Sequence, residues 1–231
     1  MVNRPALVVV VPVLNEAANL PDLARNLRAS LAQDTHILLV DGGSQDDTVA
    51  VAATHGLPLI ISAPGRACQM NAGAAATQQP LLLFLHADTH LPRAADDRVR
   101  DALMGRSGWG RFDVSIRGRS RVLLPLVATL MNQRSRLTGI ATGDQALFMR
   151  REFFDAVGGF PKQPLMEDIE ISRRLGRLSP PRCLRARVDT SGRRWEHNGV
   201  WRTILLMWQL RWAYWRGAPA HVLAQRYHRP G

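Results

Sequence analysis

The stretch LVVVVPVLNE, residues 7–16, decides the fold of this 231-residue chain. Its first eight residues form a short, continuous and mostly β-branched apolar run, which is typical of a strand buried on both faces of a sheet. The run ends abruptly in Asn15 and Glu16. It therefore predicts a central strand that delivers polar side chains to one edge of a sheet.

Three further apolar runs follow at intervals that leave room for helices. They are HILLV (36–40), LPLII (57–61) and LLLFL (81–85). The segments between them carry helical patterns; in residues 20–27, for example, the apolar positions fall on one helical face. A strand–helix series of this kind predicts an α/β fold in which a mostly parallel sheet is flanked by helices.

Polar residues follow each of the four predicted strands. The strand-end residues are Asn15, Glu16, Asp41, Arg66, His86 and Asp88. Ligands of parallel α/β sheets bind beyond the carboxyl ends of the strands, so these side chains are candidates for one binding site. The alternative interpretation is that they are turn and capping residues, because Asp and Asn favour such positions in any protein.

The second half of the chain has a less regular pattern. Residues 109–116 alternate like a strand, and residues 121–131 form an apolar, helical run with Pro125 near its start. Residues 142–161 predict a strand, a short helix and a Gly-Gly turn. Residues 164–178 predict a helix, because acids lie at its N-terminal end and Arg near its C-terminal end, as the helix dipole favours.

The tail at residues 199–217 carries apolar residues at helical spacing, with arginines among them. The apolar positions are Trp201, Ile204, Leu205, Trp208, Trp212 and Trp215. Two interpretations are open. The stripe packs on the rest of the domain, as aromatic stripes on helices usually do, or it meets a membrane interface, where tryptophan and arginine are both favoured.

The net charge of +11 lies in the second half of the chain. Residues 1–110 carry eight Arg and ten Asp or Glu, whereas residues 111–231 carry 22 Arg or Lys and nine Asp or Glu. A basic half of this kind suits phosphates, nucleic acid or an anionic membrane surface as partners.

The cysteines and the apolar segments indicate the compartment. Cys68 and Cys183 form no CxxC pattern, so we expect neither a disulfide framework nor a zinc site. The N-terminal apolar run is short and lacks a small-residue cleavage site, and no segment has the roughly 20 apolar residues of a membrane span. We therefore expect a cytoplasmic protein, with a peripheral position on the inner face of the plasma membrane as a further expectation from the tail.

Six motifs occur in a fixed order along the chain. They are VVVPVLNE, LLVDGGSQDDT, GRACQMNAGAA, FLHADTHLP, AVGGFP and LMEDIEISRRLGR. This series resembles the family-2 glycosyltransferases with the GT-A fold. Within that family it resembles small bacterial members described as arsenosugar-biosynthesis or carotenoid-type glycosyltransferases.

The resemblance implies a division of the chain. Residues 1–190 would form the glycosyltransferase domain, with a nucleotide-binding half at 1–92 and an acceptor half at 93–190. Residues 191–231 would form a basic, Trp-rich helical extension.

The resemblance also implies a reaction, in which a sugar is transferred from a nucleotide-diphosphate sugar to an acceptor with inversion at the anomeric carbon. The expected donors are UDP-sugars. The acceptor, a small molecule or a lipid, is unidentified. Asp168 matches the base that accepts the proton of the acceptor hydroxyl, with Glu167 beside it. Asp88 matches the second Asp of the family's Asp-x-Asp motif and would hold Mn²⁺ or Mg²⁺. His86 replaces the first Asp and would bind the metal or the sugar, or simply pack. Asp144 is assigned to the acceptor side.

Eight positions are assigned to nucleotide binding: Pro12, Asn15, Glu16, Asp41, Gly43, Arg66, Asn71 and Ala87. Arg66 suits the diphosphate, because a guanidinium group binds phosphate through two parallel hydrogen bonds. The alternatives are that Asp41 caps its turn and that Arg66 is an ordinary surface arginine.

Two other functions are alternatives to a glycosyltransferase: a nucleotidyltransferase and a binding module without turnover. A nucleotidyltransferase would need a Gly-rich, Arg-containing triphosphate loop after the first strand, where this chain has VPVLNE. A basic RNA- or membrane-binding module without turnover would leave the strand-end carboxylates unexplained, and the chain has no RRM or KH signature. Nucleic acid is therefore not an expected partner.

Overall fold

The first half of the protein alternates strands and helices in the order that the sequence predicts. The computed structural model describes residues 4–228. The elements of this half are β1 (Leu7–Val13), α1 (Leu20–Ser30), β2 (His36–Asp41), α2 (Thr48–Thr54), β3 (Leu59–Ile61), α3 (Arg66–Ala75) and β4 (Leu81–Phe84). All seven residues of β1 are buried, as expected of a central strand.

The second half adds further strands and most of the helices. Its elements are β5 (Thr89–His90), α4 (Ala95–Leu103), β6 (Trp109–Arg117), α5 (Leu123–Thr138), a 3₁₀ turn (Gly143–Gln145), β7 (Leu147–Arg150), α6 (Arg151–Ala156), α7 (Glu167–Gly176), β8 (Arg182–Ser191), α8 (Arg193–Asn198), α9 (Val200–Trp215) and α10 (Ala220–His228).

One curled sheet runs through both halves in the order β3-β2-β1-β4-β7-β6-β8-β5. Strands β1 to β4 are parallel, whereas β7 is antiparallel to both β4 and β6. Within residues 4–228, four of the seven strand pairings are parallel. The prediction of a mostly parallel sheet flanked by helices is confirmed.

Strand β8 is an element that the sequence pattern did not predict. Its outward positions Arg182, Arg185 and Arg187 are exposed, while Val188 and Thr190 are buried. The alternation is therefore real, but arginines hide it from a search for apolar runs. Strand β5 and helix α4 were not predicted either.

The sheet opens where β1 leaves β4. Their pairing ends at Val10↔Phe84, whereas β1 and β2 stay paired as far as Val13↔Asp41. The carbonyl oxygen of Val10 accepts a hydrogen bond from the Leu85 N–H, which follows β4. In a parallel sheet, the backbone groups of successive residues point to opposite neighbouring strands, so the backbone of Pro12 faces β4 as that of Val10 does. Proline has no N–H to continue that ladder. The strands diverge there and leave a crevice at the point where the strand order reverses, the usual ligand site of such sheets.

The C-terminal helices pack on the segment that precedes α7. Leu210 of α9 and Leu223 of α10 form one buried cluster with Leu165 and Met166. The opposite face of α9 is exposed and apolar: it carries Trp201, Leu205, Trp208, Trp212 and Trp215. Of the two interpretations of the stripe, packing on the domain therefore does not hold for these side chains. No helix within residues 4–228 is both long and apolar enough to cross a bilayer.

Helix α3 lies so close to the sheet that one of its positions has no room for a side chain. A Cβ atom at Gly73 would come within 2.4 Å of Val10 Cγ1 and 2.9 Å of Val40 Cγ2. Both valines belong to central strands that cannot move without disturbing their neighbours. The glycine therefore sets the distance between α3 and the sheet.

Substituting Gly73→Ala is expected to lower the free energy of unfolding by about 1–3 kcal/mol, because overpacking a dense core forces strands or helix apart. Urea unfolding followed by circular dichroism measures this. The control is Gly176→Ala at the end of α7, where the added methyl group meets nothing within 4 Å. That variant should be neutral or up to about 1 kcal/mol more stable. Equal midpoints for the two variants would contradict the packing argument.

Candidate active site

Hydrogen bonds lock together the loops that follow β1 and β2. The Asn15 N–H donates to Ser44 Oγ at 2.8 Å, and Asn15 Oδ1 accepts from the Gln45 N–H at 2.8 Å. The Glu16 N–H donates to Thr48 Oγ1 at 2.8 Å. Asn15 has a φ of 54°, a left-handed conformation that asparagine adopts more readily than most residues. The two loops thus form one polar rim at the crevice.

The carboxylate of Asp41 holds the turn after β2. Asp41 is only 2% exposed. Its Oδ2 accepts from the N–H groups of Gly43 at 2.9 Å and Ser44 at 3.0 Å, and its Oδ1 accepts from Ser44 Oγ. Within the protein, Asp41 therefore caps its turn, as the alternative interpretation of this residue predicts. Gly43 itself is exposed with a φ of 94°, so the turn presents backbone at the rim.

Two amides of α3 join the elements around the crevice. Gln69 Nε2 donates to the carbonyls of Val13 at 2.7 Å and Val40 at 2.8 Å, near the ends of β1 and β2. Asn71 Nδ2 donates to Phe160 O at 2.8 Å, and Asn71 Oδ1 accepts from the Phe160 N–H at 2.9 Å. The amide of Asn71 is thus engaged with the Gly-Gly turn after α6. Gln69 was missed, because one glutamine in a helix carries no sequence pattern.

Acidic side chains gather where β4 ends. Burial raises the pKa of Glu16, a hydrogen bond from Asn19 opposes this, and the charges of Asp88 and Asp46 raise the pKa further. The Asp88 carboxylate is partly exposed and accepts from Thr89 Oγ1 at 3.4 Å. In the described part of the chain, no group of three or more His, Cys, Asp or Glu residues could hold a metal ion by itself. A cation here would need oxygen atoms from a ligand.

His86 links the end of β4 to the 3₁₀ turn. Its Nδ1 lies 3.3 Å from Asp144 Oδ1, and the ring is 16% exposed. A Cβ atom at Gly143 would come within 2.3 Å of His86 Nε2, so only glycine allows this approach. The Gly143 N–H donates to Asp168 Oδ2 at 2.9 Å. A strand end, a 3₁₀ turn and a helix start therefore meet in one place.

The carboxylate of Asp168 lies at the start of α7. Burial raises its pKa to about 6, and the adjacent charge of Glu167 adds to the effect. The N–H groups of Gly143 and Ile169, and the charge of Arg66, act in the opposite direction. Arg66 Nη1 lies 3.7 Å from Glu167 Oε1. The charge of Arg134, on α5, also interacts with that of Asp168, so the acid pair has two cationic neighbours among the described residues. Asp168 is partly exposed.

The backbone just before this acid pair is held in an unfavourable conformation. Met166 has a φ of 65° although it is not glycine, and it is buried against α9 and α10. Such a conformation persists only where the surroundings fix it, and it is concentrated at functional sites. The C-terminal helices therefore help to position the start of α7.

The structure brings the predicted site residues into two adjoining groups. One group lies on the rim loops and at the end of β4: Pro12, Asn15, Glu16, Asp41, Gly43, Ala87 and Asp88. The other lies around the start of α7: His86, Asp144, Glu167 and Asp168, together with Arg66, which was predicted from the sequence to bind the nucleotide. Asn71 lies apart from the rim, on Phe160. Arg134 of α5 was missed by sequence reasoning, although its charge interacts with Asp144 and Asp168.

Comparisons with known proteins agree with this geometry. The sequence profile of glycosyl transferase family 2 matches residues 8–158. An uncharacterized glycosyltransferase of Mycobacterium tuberculosis is 36% identical over 109 residues, which cover 44% of this chain and 48% of that protein. The chain thus matches about half the length of such curated relatives. The resemblance to arsenosugar-biosynthesis or carotenoid-type members stays a prediction.

Solved structures share the fold. Staphylococcus aureus TarS in complex with UDP-GlcNAc has a TM-score of 0.63 at 15% identity, over 80% of this chain and 58% of that chain. Glucosyl-3-phosphoglycerate synthase from M. tuberculosis, in complex with Mn²⁺, UDP and glucosyl-3-phosphoglycerate, has a TM-score of 0.58 at 20% identity, over 80% and 71% of the two chains. These structures have the GT-A fold, and with the match over residues 8–158 they lead to one conclusion: this chain belongs to glycosyl transferase family 2.

Proposed function

We propose that this protein transfers a sugar, with inversion, from a nucleotide-diphosphate donor to the hydroxyl group of an acceptor. UDP-sugars are the proposed donors, since two of the similar structures hold UDP-GlcNAc or UDP. Residues 1–92 would bind the nucleotide, residues 93–190 would supply the base and the acceptor side, and residues 191–231 would form the extension. The observation that carries the proposal is the meeting of the β4 end with the start of α7 through Gly143.

A divalent cation fits the chemistry of this edge. Asp88 makes no ion pair with a described residue, and its charge interacts with that of Glu16, so a positive charge is favoured there. One carboxylate plus phosphate oxygens is a donor set typical of Mg²⁺ or Mn²⁺. When bound, the cation would neutralise the charge that develops on the leaving diphosphate. Asp88 is the proposed ligand, and His86, engaged with Asp144, would orient the sugar or complete the ligand set.

The rim loops are the proposed nucleotide site. The locked loops bearing Asn15, Glu16 and Gly43 present polar groups and backbone without a rearrangement. Asp41 would act through the turn it holds. Arg66 is half-exposed at the start of α3 and keeps its charge, because Glu167 and the neighbouring acids outweigh the cost of burial. It would therefore be able to bind the diphosphate.

Asp168 is the proposed base. Its carboxylate is held by two backbone N–H groups and remains partly open to the cleft, where an acceptor hydroxyl would lie. A pKa of about 6 leaves it ionised at neutral pH, yet more basic than an ordinary aspartate. It would take the proton as the acceptor oxygen attacks the anomeric carbon from the side opposite the nucleotide. Glu167 would keep Arg66 in place.

The exposed face of α9 suits an anionic membrane surface. Trp201, Trp208, Trp212 and Trp215 share this face, and the Arg216 guanidinium lies 4.8 Å from the centre of the Trp212 ring. Trp rings with arginines favour the membrane–water interface. The charge of the second half of the chain is complementary to anionic lipid. We propose a peripheral position with this face on the lipid, which would suit a lipid acceptor.

Asp88→Asn is expected to weaken UDP binding in the presence of Mn²⁺ by at least about tenfold, or about 1.4 kcal/mol, because the cation loses its protein ligand. Titration calorimetry with and without Mn²⁺ measures the effect. Asp101→Asn is the control, since it removes the same charge from an exposed position on α4, outside the rim loops. Metal-dependent UDP binding that survives Asp88→Asn unchanged would refute this role.

Asp168→Asn is expected to slow turnover on the order of 10²–10⁴-fold, because the amide cannot accept the proton. UDP release from the best of a panel of UDP-sugars, with water as acceptor, gives the rate. In the unaltered protein, kcat/KM should fall about tenfold for each pH unit below about 6, since protonation of Asp168 removes the base. Glu170→Gln, on the same helix turn, should keep both rate and profile. An Asp168→Asn variant with the same rate and the same pH profile as the unaltered protein would exclude Asp168 as the base.

The paired substitution Trp208→Glu and Trp212→Glu is expected to weaken binding to vesicles that contain anionic phosphatidylglycerol, on the order of tenfold or more, because it places charge in the interfacial face. Vesicle co-sedimentation measures the partition. Met104→Glu, at a 72% exposed apolar residue beyond α4, is the control. Equal binding of all three proteins would show that α9 does not face lipid.

A further inference from the structure

Arg134 of α5 is a buried cation with unused hydrogen-bond donors. Its Nε and Nη2 atoms are inaccessible to solvent and have no hydrogen-bond partner. The residue as a whole is partly exposed, so it lies at the boundary between the protein interior and solvent. Buried donors are nearly always satisfied in folded proteins, and each exception calls for a reason.

Other buried arginines of the same protein show what a structural arginine looks like. Arg111 donates from Nε to Ser135 Oγ at 3.1 Å and from Nη2 to Asn132 O at 3.0 Å, and it pairs with Asp113. In the same way, Arg100 donates to a backbone carbonyl and to three side chains of the described chain. The fold therefore satisfies buried guanidinium groups elsewhere. Arg134 does not follow this rule.

The surroundings of Arg134 belong to the acceptor side of the site. Burial lowers its pKa, while the charges of Asp168 and Asp144 favour the charged form and that of Arg111 opposes it. Arg66, the other arginine of this cluster, already lies 3.7 Å from Glu167. Arg134 thus brings a positive charge close to the proposed base without committing its donors to it.

The two unused donors lie on the same edge of the guanidinium group. Nε–H and one Nη2–H point in parallel, which is the geometry that matches two oxygens of one carboxylate or phosphate group. An oxyanion bound there would satisfy both donors at once.

We propose that Arg134 binds an anionic group of the acceptor, a phosphate or a carboxylate, and so presents the acceptor hydroxyl to Asp168. The acceptor is therefore an acidic molecule rather than a neutral sugar or alcohol. This inference rests on the proposed transferase function of the same site. Arg134 is a specificity-determining residue and takes no part in proton transfer.

The test is calorimetric titration with inorganic phosphate, with the protein free and saturated with UDP and Mg²⁺. The unaltered protein should bind phosphate, and Arg134→Gln should bind it at least tenfold more weakly. Arg121→Gln, which removes an exposed arginine just before α5, should bind it as the unaltered protein does. Octyl phosphate that binds more tightly than inorganic phosphate would indicate a lipid acceptor, and equal affinities a water-soluble one.

Two further measurements keep the inference falsifiable. UDP affinity with Mg²⁺ should be the same in Arg134→Gln as in the unaltered protein; a tenfold loss would assign Arg134 to the donor and overturn the proposal. Because the charges of Arg134 and Asp168 interact, the pH profile of UDP release should move upward in Arg134→Gln; this shift with unchanged phosphate binding would make Arg134 only a partner of Asp168 and overturn the proposal. Absence of phosphate binding to the unaltered protein overturns the inference alone, whereas absence of UDP binding overturns the proposed function.

Discussion

A strand that is buried on both faces can carry polar residues only where it leaves the sheet, and the rest of this structure depends on that constraint in β1. Pro12 cannot extend the ladder toward β4, so the two strands diverge while β1 and β2 stay paired. The crevice that results lies at the reversal of strand order. On the β2 side of the crevice, a hydrogen bond between Asn15 and Ser44 joins the rim loops.

The two halves of the chain are joined at the cleft by close backbone approach rather than by a large apolar interface. His86 packs on Gly143, and the Gly143 N–H holds Asp168. Burial raises the pKa of Asp168, and the charge of the adjacent Glu167 raises it further, so a positive charge nearby is favourable. Arg66 provides part of that charge, and Arg134 approaches with its donors unmet. The tail is coupled to the same place, since α9 and α10 bury Met166 immediately before the acid pair.

Sequence patterns predicted the elements whose burial is nearly complete. β1 and β4 are apolar throughout, so their runs could be recognised, and their order predicted the sheet. β8 was missed because its outward arginines interrupt the pattern, and the pattern of the Trp stripe in α9 left open whether the stripe packs on the domain. An apolar stripe predicts that a helix is amphipathic, but it does not predict whether the rest of the domain covers that stripe.

Taken alone, the sequence determined the fold class, the order of the strand ends and the two groups of candidate side chains, because local pattern and chain order suffice for these. Only the tertiary structure decided which side chains keep polar atoms that a ligand would be able to contact. The polar atoms of Asp41 and Asn71 form hydrogen bonds within the protein. Asp168, in contrast, is partly exposed, and two donors of Arg134 have no hydrogen-bond partner. These differences depend on hydrogen bonds and burial between segments distant along the chain, as between Gly143 and Asp168, and no local pattern records them.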